Sequence, residues 1–211
     1  MSAPQNMFCE KIGNTLVKNL QNRHFEAYYC ANKEEALEKA LSLIPNSSTV
    51  GWGGATSAQQ IGLLDAVRQG DYVAYDREQV PMEQRAAIAA KCATADVFIT
   101  GANALSVTGE MVNIDGIGNR VAAIVYGPKS VIVIAGMNKV CADLDSAIKR
   151  ARTVAAPINH QRFGGETPCM VTGVCGDCKR EDCICNQILI TRHCRPAGRI
   201  KFIIVGESLG F

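Results

Sequence analysis

Apolar positions along the chain alternate between a helical and a strand period. "NKEEALEKALSLIP" spaces Ala36, Leu37, Ala40, Leu41 and Ile44 along one helical face, opens on Asn32 as an N-cap with Glu35 three residues on, and stops at Pro45. "SSTVGWGG" then reads as a short strand running into glycines, and "SAQQIGLLDAVRQGD" as a helix closed by Gly70. The same alternation gives a strand at "DYVAYD", a helix at "PMEQRAAIAAKCATA", strands at "DVFITG" and "SVIVIAG", and a helix at "CADLDSAIKRARTVAA". Residues 5–24 predict an N-terminal helix covering the sheet, and "RIKFIIVGESLGF" a last apolar strand. This order predicts an α/β fold with a mostly parallel sheet and flanking helices. One domain over residues 1–211 accounts for the pattern, without internal repeats. Its composition changes only near Pro157, where a cysteine-rich insertion, residues 157–194, precedes the last strand.

With 211 residues and 47% hydrophobic content the chain can bury a substantial core. A net charge of +2 gives no basic face dictated by composition, and nucleic acid is not an expected partner. The apolar runs are too short for a membrane span and the N-terminus lacks a signal-peptide pattern, so a cytoplasmic protein is expected. Reducing conditions there turn clustered cysteines towards metal or redox chemistry rather than structural disulfides.

Two stretches concentrate polar groups at predicted strand ends. In "GWGGATSAQQIG", Gly53 and Gly54 allow close approach of the backbone, and Thr56 and Ser57 place hydroxyls at a helix start, where a phosphate or carboxylate would fit. The turn is neither a P-loop nor a dinucleotide fingerprint; a capped tight turn would also explain it. Trp52 beside it reads as core or interface. The second stretch, "ITGANALSVTGEMVNIDGIGNRVAA", carries Asn103, Glu110, Asn113, Asp115, Asn119 and Arg120 through a hairpin to a helix starting near Asn119. Open α/β sheets bind ligands at this carboxyl edge. Arg120 would clamp a carboxylate, with Glu110 or Asp115 as base or nucleophile if desolvated. Ordinary turn and capping chemistry is the competing explanation.

"CMVTGVCGDCKREDCICNQILITRHC" holds six of the ten cysteines. Cys175-x-x-Cys178 puts two sulfurs on one tight turn, and Cys169 with Cys183 or Cys185 completes four thiolates. In an extended chain Cys183 and Cys185 point apart, so one of them is expected to ligate. A single knuckle favours a [4Fe-4S] cluster, with zinc or a thiol switch as alternatives. Lys179, Arg180, Arg192, Arg195 and Arg199 lie nearby in sequence to offset the thiolate charge. Cys9, Cys30, Cys92 and Cys141 read as buried small apolar residues. His160 and His193 flank the segment and could act as a fourth ligand or proton donor, but a partly exposed histidine near a charged loop is the simpler explanation of each.

"GWGGATS", "TGANALSVTGEMVNIDGIGNRVAAIVYGPKSVIVIAGMNKV", "PINHQRFGGETPCMVTGVCGDCKREDCICN" and "RIKFIIVGESLGF" together resemble the lactate-utilisation (LUD) domain family from about Gly51 onward. The resemblance implies a fold like that of the sugar-phosphate isomerase and CoA-transferase superfamily. It implies ligand-binding roles for Gly53, Gly54, Thr56 and Ser57 in the first turn and for Asn103 and Glu110 in the second. It also selects Cys169, Cys175, Cys178 and Cys185 as metal ligands. Where such isomerases carry an aspartate after "GA", this chain has Asn103, which cannot act as a base. The family resemblance implies a part in oxidising lactate to pyruvate beside iron–sulfur partner proteins. No flavin or nicotinamide motif is visible, so a hydride acceptor would come from a partner. The other class of function is a small-anion-binding or regulatory module whose zinc or cluster only staples the insertion.

Overall fold

The computed structural model describes residues 2–211. Six parallel strands form the main sheet: β1 (Glu26–Cys30), β2 (Thr49–Gly53), β3 (Val73–Tyr75), β4 (Val97–Gly101), β7 (Ser130–Gly136) and β10 (Ile200–Val205), in spatial order β1-β10-β7-β4-β2-β3. Alternate side chains of the central strands enter two different cores, as the pleat requires. Ile132, Ile134, Ile203 and Val205 pack under α2 (Lys33–Ser42), α3 (Thr56–Gln60) and α4 (Leu63–Gln69). Val131, Val133, Phe202 and Ile204 pack under α1 (Ala3–Asn22), α5 (Arg85–Cys92) and α6 (Asn119–Val125) through Leu16, Leu20, Cys92 and Ile124.

Local chemistry explains where the elements stop. Asn32 caps α2 by accepting from the Glu35 amide at 2.9 Å, as its sequence predicts. The helix expected over "SAQQIGLLDAVRQGD" is broken at Gly62, whose φ of +81° is left-handed, so α3 has only five residues. The expected strand "RIKFIIVG" is the last in sequence, yet it lies inside the sheet between β1 and β7.

A second sheet of four strands sits beyond the carboxyl end of β4. It has the order β8-β5-β6-β9, with β5 (Ala104–Ser106), β6 (Met111–Asp115), β8 (Val140–Cys141) and β9 (Gln187–Thr191). The hairpin β5–β6 was expected. Strand β9 was not; it lies inside the cysteine-rich stretch and pairs antiparallel with β6. One face of this sheet, through Ala104, Val112 and Ile114, packs on Ala147, Ala151 and Ala156 of a continuous helical run. That run comprises α7 (Leu144–Arg150), a π-helical turn (Ala151–Ala155) and α8 (Ala156–His160). Among the described residues no helix is long and apolar enough to cross a membrane.

Candidate functional site

The chain runs from β2 outward to β3 and then returns to the other side of β2 as β4, so the carboxyl ends of β2 and β4 flank a switch point in the strand order. The expected glycine turn lies there. Gly54 has φ +59°, and its carbonyl accepts from the Gly101 amide at 3.2 Å. A methyl group at Gly54 would sit 2.5 Å from Arg120 Nη1, so glycine makes room for the guanidinium.

Arg120 is buried, and it connects the two polar stretches singled out above. Its Nη2 donates to Asn103 Oδ1 at 3.1 Å and to the Ile114 carbonyl, and lies 3.3 Å from Asp115. Asp115 also accepts from the backbone N–H groups of Arg120 and Val121, at 3.0 and 3.1 Å, and so caps α6. Asn103 accepts a further bond from the Ile114 amide at 2.8 Å. Asn113 donates to the Gly101 carbonyl at 3.0 Å. Asn119 starts α6 after the left-handed Gly118. Thr56 starts α3, and Ser57 is buried in its first turn.

Two cations here were not singled out in the sequence. Lys139 ends a 3₁₀ turn (Met137–Lys139) directly after β7 and is 4% exposed, with Nζ 3.1 Å from Ser57 Oγ. Arg150 of α7 donates from Nε to the Asn138 carbonyl at 2.9 Å and from Nη1 to the Asn103 carbonyl. The only signal for Lys139 was its place, in "SVIVIAGMNK", just past the longest buried strand. A five-residue α3 contributes little dipole, so these side chains, rather than the expected helix N-terminus, make the edge electropositive.

Burial, followed by repulsion from Arg150 and Arg120, pushes the Lys139 ammonium down to about 7. The unfolded lysine therefore binds a proton that the folded one has lost between about pH 7 and roughly pH 10.4. Stability must rise with pH through that window, by at most ~1.4 kcal/mol per pH unit from this group. Lys139→Met is expected to raise the urea midpoint at pH 7 and to flatten the rise between pH 7 and pH 9. A parent and variant with parallel pH profiles would contradict a neutral buried amine.

Glu110 does not join this edge. Its oxygens take hydrogen bonds from Ser106, from Thr108 at 2.6 Å and from Arg23, which ties the β5–β6 turn to α1. Burial favours its neutral form, but those bonds and the Arg23 charge outweigh it and hold the carboxyl below its usual range. The expected role as catalytic base gives way to a structural ion pair, because both oxygens are consumed.

Beyond β6 the cysteines meet. Cys169, Cys175, Cys178, Cys183 and Cys185 line one cavity of about 180 Å³ together with His160, Arg152, Asp177, Ile114 and Ile188. A bend at Ile184 turns Cys183 and Cys185 towards the same space, where an extended chain would have separated them. Burial and the neighbouring Cys183 push the Cys185 thiol up to about 12. His160 is buried, with Nδ1 3.5 Å from Cys169 Sγ and 3.1 Å from Thr167 Oγ1. Cys194 is instead a core residue, accepting from the Ile200 amide at 3.3 Å. Of the cations expected to offset thiolate charge, Arg180 pairs with Asp182 and Glu166, and Arg199 binds carbonyls at the end of α6. The arginine on the cavity is Arg152, from the π-helical turn.

A tetrahedral zinc site gathers four donors about 2.1–2.3 Å from one point. Among the described residues no group of three or more Cys, His, Asp or Glu side chains is arranged to hold a metal ion. The five thiols line one space together with the His160 imidazole and the Asp177 carboxylate, a predominantly soft donor set.

The two regions share parts. Ile114 lines the thiol cavity with its side chain, while its backbone binds Asn103 and Arg120. The helical run 144–160 gives Arg150 to the sheet edge and Arg152 and His160 to the cavity, with the π-helical turn between Arg150 and His160. Such π-turns recur at functional sites.

The family model described as "LUD domain" matches residues 14–205. The chain belongs to the LUD domain family. A DUF162 family protein from Deinococcus radiodurans is similar to this LUD protein in structure, with a TM-score of 0.53 at 14% identity, covering 94% of this chain and 98% of that one. That likeness shows a shared fold. Ribose 5 phosphate isomerase A from Neisseria gonorrhoeae matches with a TM-score of 0.34 at 19% identity, over 53% of this chain and 54% of that one. No curated protein matches the chain.

Proposed function

We propose that this LUD protein binds a small 2-hydroxy or 2-oxo acid at the carboxyl edge of its main sheet and takes part in oxidising lactate to pyruvate. The observation that carries this reading is that Lys139 meets Ser57 and Arg120 meets the Gly53–Gly54 turn at the switch point, with Arg150 near enough to repel the Lys139 ammonium. Arg120 Nη1 faces Gly54, and its buried Nε has no protein partner among the described residues. Buried donors left in this way favour an anion that completes them. Family membership supports the lactate assignment.

The cysteine cavity completes the proposal. Cys169, Cys175, Cys178 and Cys185 would hold a [4Fe-4S] cluster, with Cys183 on the same wall. When bound, such a group supplies one-electron transfer at a potential set by its surroundings. Arg152 and His160 would adjust the local charge and hydrogen bonding, and the remaining electrons would leave through iron–sulfur partner proteins.

Calorimetric titration with pyruvate, L-lactate and inorganic phosphate tests the carboxylate assignment. Saturable pyruvate or lactate binding, tighter than phosphate, is expected. Tighter phosphate binding, or no carboxylate binding, would overturn it.

A further inference from the structure

Lys139 has features that an anion-binding residue does not need. Its Nζ has one hydrogen-bond partner among the described residues, Ser57 Oγ, and no carboxylate there lies within ion-pair distance of it. Gly101 and Gly210 face its tip without a side chain that would cover it: a Cβ at Gly101 would stand 3.7 Å from Nζ, and one at Gly210 would crowd it at 3.1 Å. Two guanidinium groups, of Arg120 and Arg150, supply permanent charge beside it. A bound carboxylate can therefore be held without the lysine, which leaves the amine available for the adjacent carbon.

We propose that Lys139 is a catalytic residue that attacks C2 of a bound 2-oxo acid to form an imine, with Ser57 relaying the proton. This rests on the carboxylate reading above. The Nζ–C2 bond forms as the carbonyl π pair moves to oxygen. Ser57 Oγ, 3.1 Å from Nζ, passes a nitrogen proton towards that oxygen. A second nitrogen proton follows, the C2–O bond breaks, and water leaves. One amine and one ketone give one imine and one water, with no change in oxidation state. Burial and the flanking arginines, which bring the lysine down to about 7, keep a neutral fraction of the amine at physiological pH. The substrate class is thereby narrowed to acids with a ketone next to the carboxylate.

The test incubates the full chain with pyruvate and cyanoborohydride and maps the reduced adduct by peptide mass spectrometry. One adduct per chain, on Lys139, suppressed by excess L-lactate, is the expected result. Lys139→Met should abolish it. Ser57→Ala keeps the lysine and, with pyruvate saturating, should slow trapping by roughly 10²-fold, as loss of proton transfer does. If pyruvate binds by calorimetry but no adduct forms, or adducts spread over surface lysines without suppression by lactate, the imine is excluded and the carboxylate site stands. If pyruvate does not bind at all, both fall. Trapping at the parent rate in Ser57→Ala overturns the relay.

Discussion

Arg120→Leu is expected to cost the fold about 3–5 kcal/mol, the usual penalty for removing one partner of a buried ion pair. The same change should weaken pyruvate binding by roughly 30-fold or more, because truncating a buried charged donor costs about 2–5 kcal/mol and each 1.4 kcal/mol is tenfold. Both effects follow from its position. Arg120 is buried between the Gly54 turn, the Asn103 side chain, the Ile114 carbonyl and Asp115. Leucine fills part of that volume but leaves the Ile114 carbonyl unpaired and Asn103 Oδ1 with only the Ile114 amide. Asp115 would keep its bonds to the α6 backbone, so α6 itself should persist. Urea denaturation and calorimetric titration read the two effects separately. A variant with parent stability and parent affinity would remove Arg120 from the site.

The second large effect concerns the thiols. Cys178→Ser is expected to lower bound iron and to bring amide exchange across residues 161–186 close to that of an open loop. The amides of β4, β7 and β10 should stay protected. The segment has little of its own to hold it: the five-residue α9 (Pro168–Thr172), a few surface ion pairs, and exposed Val171 and Val174. A metal that ties its cysteines together would supply most of its order. The main sheet rests on two separate apolar cores and owes the segment nothing. Unchanged exchange in 161–186 together with unchanged iron would show that Cys178 is not a ligand.

The alternation of period-2 and helical patterns made the main sheet legible, because buried parallel strands such as "SVIVIAG" and "DVFITG" are nearly continuous apolar runs. Strand β9 escaped because "QILIT" sits among cysteines and its outward Ile188 and Ile190 are half exposed, so no inward-facing stripe marks it. The placement of the Gly53–Ser57 turn at the end of β2, and of Arg120 at the start of α6, was legible from residue type and position. The ion pair of Glu110 was not legible, because a carboxylate after a glycine in a polar loop looks the same in sequence whether it faces a ligand or Arg23. Lys139 and Arg150 were missed for the opposite reason. Each stands alone in an apolar or helical pattern, and only the return of β7 and α7 to the edge of β2 and β4 brings them to Ser57 and Asn103. Extended-chain geometry set Cys183 and Cys185 on opposite faces, which the bend at Ile184 does not follow.

In the proposed function a carboxylate site and an electron-accepting centre share one chain, joined by β6 and the helical run 144–160. The reduction potential of the anaerobically purified protein, measured with and without saturating pyruvate, tests this most directly. A bound anion favours the more positive, oxidised state of a nearby centre, and the coupling must be reciprocal. The potential is predicted to fall on adding pyruvate, and the oxidised protein to bind pyruvate more tightly than the reduced one. A protein that carries stoichiometric zinc, or whose potential does not move while calorimetry shows pyruvate bound, would contradict it.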